Sequence, residues 1–544
     1  MLNRRFQILT GTAVALILAA PLVSMAKNSS AIAPTPPAGL VVEQAFEAIA
    51  AATAAPAGDA KAAPGAVEFA APAAPAATPA AAIEPAVTPD PLAALNPADR
   101  AVAESIRDLL AAKADKLFAS KSERAAVEAF YQARNLAPLW ITDGAENARA
   151  RAAVARLKNA DADGLDAGDY RTPAFAGAAA ALAEAELKLT HAVLTYARHV
   201  QAGRFPYTRV SKNIELPQAA PEPADVLSKV AAAEDAGKAL DIYSPQNEPY
   251  RKLKAALADL RAKPGAKGQI ETIVANMERW RWYPRDLGKS HVMVNLPDFT
   301  LAVMHNGGQV WTTKVVIGKP GMATPLLSET MKFITVNPTW TVPQSIVRNE
   351  YLPALAQDPT VLERMGLRVT NNGGEVTITQ PPGEGNALGR VRFNFNNRFS
   401  VFQHDTPDKS YFSHDVRAYS HGCMRVQDPA KYAEVLMNIA RPNEHWTAER
   451  IKRMYGGAEQ NLQIQPYTIW VHLTYQTASV DQAGKLQMRR DVYSLDSRTL
   501  AAIKSERGIV EPAQERKRDE IAGSTPRKPA APARTGALPQ PIIR

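Results

Sequence analysis

The sequence holds a single cysteine, Cys423, set in the run Ser420-His421-Gly422-Cys423-Met424-Arg425. A thiol beside a glycine, among histidine and arginine, suits nucleophilic attack on a carbonyl carbon. Such chemistry needs a thiolate, a base or charge that favours it, and backbone N–H groups where the oxyanion develops. At a pKa of about 8.5 only a few per cent of a free thiol is ionised at neutral pH, and lowering it by about two units takes roughly 2.7 kcal/mol, which a nearby imidazolium can supply. Three histidines lie upstream or adjacent, His404, His414 and His421. His404 closes a predicted strand and begins His404-Asp405-Thr406-Pro407, where a rigid strand end can aim the ring across a groove. His421 sits across a glycine from Cys423, adjacent but poorly placed for in-line proton transfer. His414 falls in a predicted loop and reads as a solvated surface residue. Gly422 permits the backbone angles that would point successive N–H groups at a carbonyl oxygen. The alternative for Cys423, a small buried hydrophobe, is common among free cysteines; its polar neighbours speak against it here.

A lone cysteine gains significance from the chain's two ends. Arg4 and Arg5 precede an apolar run from Ile8 to Val23 and then Ser24-Met25-Ala26, a small-x-small pattern that predicts export with cleavage after Ala26. The run is shorter than the span of about 20 residues a membrane helix needs. An uncleaved anchor is the alternative, and membrane contact is expected only then. The expected location is the periplasm, where disulfides form but a single thiol has no intramolecular partner. The net charge of +9 and pI near 9.3 fit an anionic wall polymer, lipid headgroups or simply a soluble basic surface. Nucleic acid is not expected in that compartment, and no basic stripe with interleaved aromatics appears.

From Lys27 to Asn96 the sequence is mostly Ala and Pro, with few large apolar residues to offset the entropy lost on folding. It reads as a linker of roughly 70 residues, able to extend about 200 Å if polyproline-like. Residues 97–284 have helical periodicity, with helices expected at 97–117, 122–135, 145–159, 174–202, 224–239, 249–263 and 269–282. Near residue 285 the period becomes strand-like. Strands are expected at 291–296, 299–305, 310–317, 332–337, 375–380, 391–395, 400–404, 467–475 and 486–493, with a helix after Asp428-Pro429 and a hairpin at Asn306-Gly307-Gly308. The expected fold class is therefore α+β, a helical domain over 97–284 followed by a strand-dominated domain over 285–495. A short helix and a basic Pro/Ala-rich tail complete the chain at 496–544.

Taken together, His404-Asp405-Thr406-Pro407, Asp415-Val416-Arg417-Ala418 and Ser420 to Val426 resemble the L,D-transpeptidases of the YkuD fold. Asn276 to Trp282, Val316 to Pro320, Asn337 to Pro343 and Pro382 to Gly389 are similar to segments of the large Gram-negative, YcbB-like branch. The resemblance covers about residues 97–495. It implies a helical scaffold before a YkuD-like catalytic domain with a capping insertion at about 340–390, and a cysteine acyltransferase acting on peptidoglycan stem peptides. In that reading Cys423 attacks the carbonyl before the terminal D-Ala, His404 is the base, and the Asp405 backbone carbonyl orients the imidazole. Gly422 belongs to the oxyanion hole and His421 supports the site. Arg425 organises the turn or binds a stem carboxylate, while Trp340, Tyr411 and Tyr419 are candidates for the donor groove. The thioester would pass to a diaminopimelate amine, giving a 3-3 cross-link, or to water, or to an envelope protein. No cofactor or metal is implied. The branch usually carries a peptidoglycan-binding module before the Asn276 segment, whereas only Lys263 to Gly268 precedes that helix here.

Two rival readings use the same residues. His404, Asp405, His414, His421 and Cys423 could ligate zinc, but their spacing lacks a recognisable ligand pattern. A wall-binding scaffold with a degenerate site would explain the long helical half, but not the presence of both Cys423 and His404 inside matching segments.

Overall fold

A computed structural model describes residues 91–505, apart from 373 and 374. The expected signal segment, the linker up to residue 90 and the tail beyond residue 505 lie outside these residues.

The helical half comprises α1 (Pro97–Leu117), α2 (Lys121–Ala133), a hairpin of β1 (Ile141–Thr142) and β2 (Ala145–Glu146), α3 (Ala148–Lys158), α4 (Ala179–Ala202), β3 (Ile214–Glu215), α5 (Pro223–Ala232), α6 (Ala236–Ala239), α7 (Glu248–Arg261) and α8 (Lys267–Trp280). Side-chain oxygens of Asn96, Ser120, Asn147 and Asn247 cap α1, α2, α3 and α7, accepting otherwise orphaned first-turn N–H groups. The helix expected at 145–159 starts later because Asp143-Gly144, both at positive φ, turns the chain into the β1–β2 hairpin. The single helix expected at 224–239 is two, broken between Ala232 and Ala236. Helix α4 is buried around most of its circumference. Its Glu186 carboxylate accepts N–H bonds from Leu139 and Trp140 and the Tyr131 hydroxyl, tying the loop after α2 to the middle of α4.

The second half contains β4 (Ser290–Asn295), β5 (Thr300–His305), β6 (Gly308–Gly318), β7 (Leu326–Val336), β8 (Trp340–Thr341), short helices α9 (Gln344–Ile346), α10 (Leu352–Gln357) and α11 (Val361–Arg364), β9 (Arg368–Asn372), β10 (Glu375–Gln380), β11 (Val391–Phe395), β12 (Gln403–His404), β13 (Ala418–Ser420), β14 (Met424–Val426), α12 (Pro429–Ala440), α13 (Ala448–Lys452), β15 (Gln460–Gln463), β16 (Trp470–Thr474), β17 (Ala478–Val480), β18 (Leu486–Met488) and α14 (Leu495–Lys504). The main sheet runs β11-β12-β14-β6-β5-β4-β16-β7, and the pairing of β11 with β7 closes it on itself. Alternation along β4 and β11 sends every second residue into the core. There Phe393 meets Tyr432 of α12 at 4.3 Å between ring centroids, and Trp311 stacks on the same tyrosine.

The hydrophobic cores divide inside the helical half. Helices α1 to α5 enclose one core, while α7, α8, β3 and the Phe205–Val210 segment share the core of the closed sheet. The Asn276 to Trp282 segment forms this junction. Asn276 exchanges two hydrogen bonds with Thr477, Arg279 pairs with Asp496 at 2.6 Å, and buried Arg281 pairs with buried Glu278 at 2.8 Å. Breaking either buried pair would strand a charge. A third, small core of Val342, Val347, Leu362, Leu367 and Ile378 belongs to the insertion between β7 and β11, where β8-β10-β9 form their own sheet. Its helices between 344 and 364 were not anticipated from the sequence. The strand expected at 400–404 shrinks to Gln403–His404, because Ser400 takes positive φ and the Asn397 side chain engages both backbone groups of Val401. The strand expected at 486–493 ends at Met488.

Candidate active site

Strand register assembles the site. β12 and β14 are parallel neighbours, with Gln403 opposite Met424 and His404 opposite Arg425. Gln403 and Met424 are fully buried, so the alternate set of Phe402, His404, Cys423 and Arg425 shares the other face. All four line a cavity of about 1310 Å³.

His404 is buried, and its Nδ1–H donates to the Asp405 carbonyl at 2.5 Å, leaving Nε2 as the proton acceptor. The Asp405 side chain fixes that peptide by accepting from the N–H of Arg390 (2.8 Å), the N–H of Thr406 (2.7 Å) and the Lys409 ammonium (2.5 Å). Gly389 must be glycine, since a Cβ there would stand 2.4 Å from the Asp405 carboxyl carbon. Burial lowers the pKa of His404 to about 3, helped by the positive charges of Arg425 and Arg392 and opposed by the carbonyls of Asp405 and Leu388. Burial likewise raises that of Cys423 to about 11, against the Phe402 backbone and the charges of Arg425 and Arg392. Cys423 is half-buried on the cavity wall. The resting pair is neutral thiol and neutral imidazole. This replaces the expected imidazolium-stabilised thiolate, because the low-dielectric wall disfavours both charges.

The turn carrying Cys423 is pinned at both ends to β6. β13 pairs with Ile317 and Gly318, β14 with Val315 and Val316, and the Lys319 N–H donates to the Ser420 carbonyl at 2.9 Å. Gly422 has φ of 119°, which side-chain-bearing residues avoid. Its N–H, expected to serve the oxyanion hole, is already given to the Ser420 hydroxyl at 3.1 Å. Its carbonyl accepts from Thr324 Oγ1 at 2.8 Å. Thr324 is held in turn by the Gly318 N–H, and the Tyr493 hydroxyl accepts the Thr324 N–H while donating to the Gly318 carbonyl at 2.6 Å. The N–H groups of His421 and Cys423 have no partner among the described residues and remain for an oxyanion.

The other expected residues separate. The His421 ring bonds Glu350 at 2.9 Å, linking the Cys423 turn to the insertion between β7 and β11. Trp340 lines the main cavity and an adjoining one of about 410 Å³, and Arg425 lines both. Tyr411 lines only the smaller cavity, with the Arg425 guanidinium 5.1 Å from its ring centre. Tyr419 stands outside both cavities, 41% exposed, its hydroxyl on His414. Sequence reading missed Thr324, Tyr493 and Glu350. The Val316 to Pro320 segment hinted at the first, since Gly318 there has no space for a Cβ, but nothing local announces Tyr493, 70 positions beyond the cysteine.

Residues 125–257 match the scaffold domain family, and residues 289–443 match the L,D-transpeptidase catalytic domain of the YkuD family. A provisionally named L,D-transpeptidase of Haemophilus influenzae is 23% identical over 397 residues, covering 67% of this chain and 77% of that protein. Among solved structures, an L,D-transpeptidase from Mycobacterium smegmatis aligns with 12% identity over 34% of this chain and 58% of its own, with a TM-score of 0.18. The Ldtfm–avibactam carbamoyl enzyme aligns with 14% identity over 35% of this chain and 51% of its own, also with a TM-score of 0.18. The alignment thus spans little more than half of those solved chains. Residues 289–443 thus match an L,D-transpeptidase catalytic domain of the YkuD family, with a helical scaffold domain at 125–257 ahead of it.

Proposed function

We propose that this protein is an exported cysteine L,D-transpeptidase that forms 3-3 cross-links between peptidoglycan stem peptides, in the manner of the YcbB-like branch. The observation that carries the reading is the shared face of β12 and β14. It sets a histidine whose Nδ1–H is given to the Asp405 carbonyl one diagonal position from the lone cysteine, beside two backbone N–H groups without a partner among the described residues.

In this mechanism the carbonyl preceding the terminal D-Ala enters the groove with its oxygen toward the N–H groups of His421 and Cys423. His404 Nε2 takes the thiol proton as Cys423 Sγ bonds to the carbonyl carbon. Because burial disfavours both charges beforehand, transfer and attack proceed together. The tetrahedral intermediate collapses, the C–N bond breaks, and the departing D-Ala amine receives the proton from His404. A diaminopimelate amine of a second stem then adds to the thioester, gives its proton to His404, and expels the thiolate, which takes that proton back. Gly422 supplies conformation through its positive φ, not an N–H, and the Arg425 guanidinium receives a stem carboxylate. Water or an envelope-protein amine could resolve the same thioester, since the chemistry up to that point is identical. Muropeptide profiles with and without the gene test the acceptor: loss of 3-3 cross-links is expected, and an unchanged profile in a strain lacking other L,D-transpeptidases would refute it.

A further inference from the structure

One end of the groove is built outside the matched catalytic domain. Ser211, Asn213 and Ile214 reach it from the helical half, because β3 adds in parallel to the edge of β7 and the Asn213 side chain donates to the Ala323 carbonyl at 2.7 Å. Tyr493, Leu495 and Arg498 reach it from the start of α14. The charged side chains lining the cavity are Glu350, which faces His421, together with Arg425 and Arg498.

The Arg498 guanidinium is held rigidly without being neutralised. It donates from Nε to the Ser494 carbonyl at 3.2 Å, from Nη1 to the Val210 carbonyl at 3.4 Å, and from Nη2 to the Tyr493 carbonyl. No carboxylate pairs with it among the described residues, whereas nearby Arg398 pairs with Glu215 at 3.2 Å. Three carbonyls orient the fork yet leave two N–H donors and the full charge unspent. The Val210 bond also makes the fork's position depend on the helical half. Tyr493, whose carbonyl holds Arg498, also bonds Thr324 through its hydroxyl, and Thr324 bonds the Gly422 carbonyl, so Arg498 is linked to the Cys423 turn, which Arg425 follows along β14.

We infer that Arg498, set by the Val210–Ile214 segment, is a carboxylate-binding residue that anchors a peptide in the active groove, so that the helical half supplies part of the substrate site. The identity of the peptide as a stem peptide rests on the proposed function; the subsite itself rests on the held cation. The test is equilibrium binding of a stem tetrapeptide ending in diaminopimelyl-D-alanine to the full chain carrying Cys423→Ala, alone and combined with Arg498→Gln or Arg498→Lys. The expected result is roughly tenfold or greater weakening by Arg498→Gln, a smaller loss with Arg498→Lys, and no difference among the three when the peptide's carboxylates are amidated. Unchanged affinity for the free acid, equal losses on free and amidated peptide, or no binding to Cys423→Ala would each overturn the inference. Arg498→Lys retains the cation and covers the case in which Arg498→Gln fails to fold. Acylation of the wild-type chain by the same tetrapeptide, read by intact mass, reports separately on the proposed function.

Discussion

The neutral resting pair makes a quantitative prediction about the reactivity of Cys423. With burial holding the thiol near a pKa of about 11, roughly one molecule in 10,000 carries the thiolate at pH 7, against about 3% for a free cysteine. That is a deficit of about 300-fold. The more basic thiolate is intrinsically more nucleophilic, by roughly tenfold for a rise of about 2.5 units, so the net slowing is on the order of 30-fold. The sign follows from the direction of the shift: raising pH restores the reactive form, and the alkylation rate should climb about tenfold per pH unit from 6 to 10 without levelling. Timed reaction with iodoacetamide, followed by intact mass, measures this directly because the chain has one cysteine. His404→Ala should leave the profile nearly unchanged, since the resting imidazole is neutral. Arg425→Gln should slow alkylation further by removing a charge that favours the thiolate. A rate that reaches its plateau below pH 7, or one that collapses in His404→Ala, would show a preformed thiolate–imidazolium pair and refute the reasoning.

Three further outcomes follow from the turn and the cap. Tyr493→Phe removes the hydroxyl that bridges Gly318 and Thr324 and should destabilise the fold by about 1–3 kcal/mol; its acylation rate should fall well beyond that of a surface control variant, whereas unchanged acylation would deny Tyr493 a positioning role. Gly422→Ala forces a side chain to φ of 119° at a cost of about 1–3 kcal/mol and should abolish measurable acylation while leaving the circular dichroism spectrum native-like; retained activity would contradict the assigned geometry. Glu350→Ala cuts the one described hydrogen bond between the His421 ring and the cap, and hydrogen exchange should quicken in 344–357 and not in α12; equal exchange in both chains would show that the contact does not hold the cap.

Much of the scaffold was legible because its signals are local. The Asn and Ser caps, the 3.6-residue period of α1, α4 and α7, and the alternation of β4 and β11 each appear within a few residues. The Cys423 turn and the strand end at His404 were visible for the same reason. Less legible were features set by distant partners: the hydroxyl of Tyr493 on the Gly318 carbonyl, the Glu350 contact of His421, and the sharing of α7 and α8 with the catalytic core. Tyr419 illustrates the opposite error. An aromatic two residues before the His421-Gly422-Cys423 turn invites a groove-lining role, yet β13 alternation turns it outward, toward His414. The direction of the Cys423 shift was also misread, since a flanking histidine and arginine suggest a thiolate until burial is known to dominate.

The most direct test of the central claim is whether Cys423 becomes acylated by a stem tetrapeptide. Intact mass spectrometry of the wild-type chain after brief incubation should show a thioester adduct equal to the peptide minus D-Ala, removable by hydroxylamine. That adduct should be absent in Cys423→Ala and strongly reduced in His404→Ala. A carbapenem should give a stable adduct at the same residue. Absence of any adduct from the folded wild-type chain, or an adduct that persists in Cys423→Ala, would contradict the account.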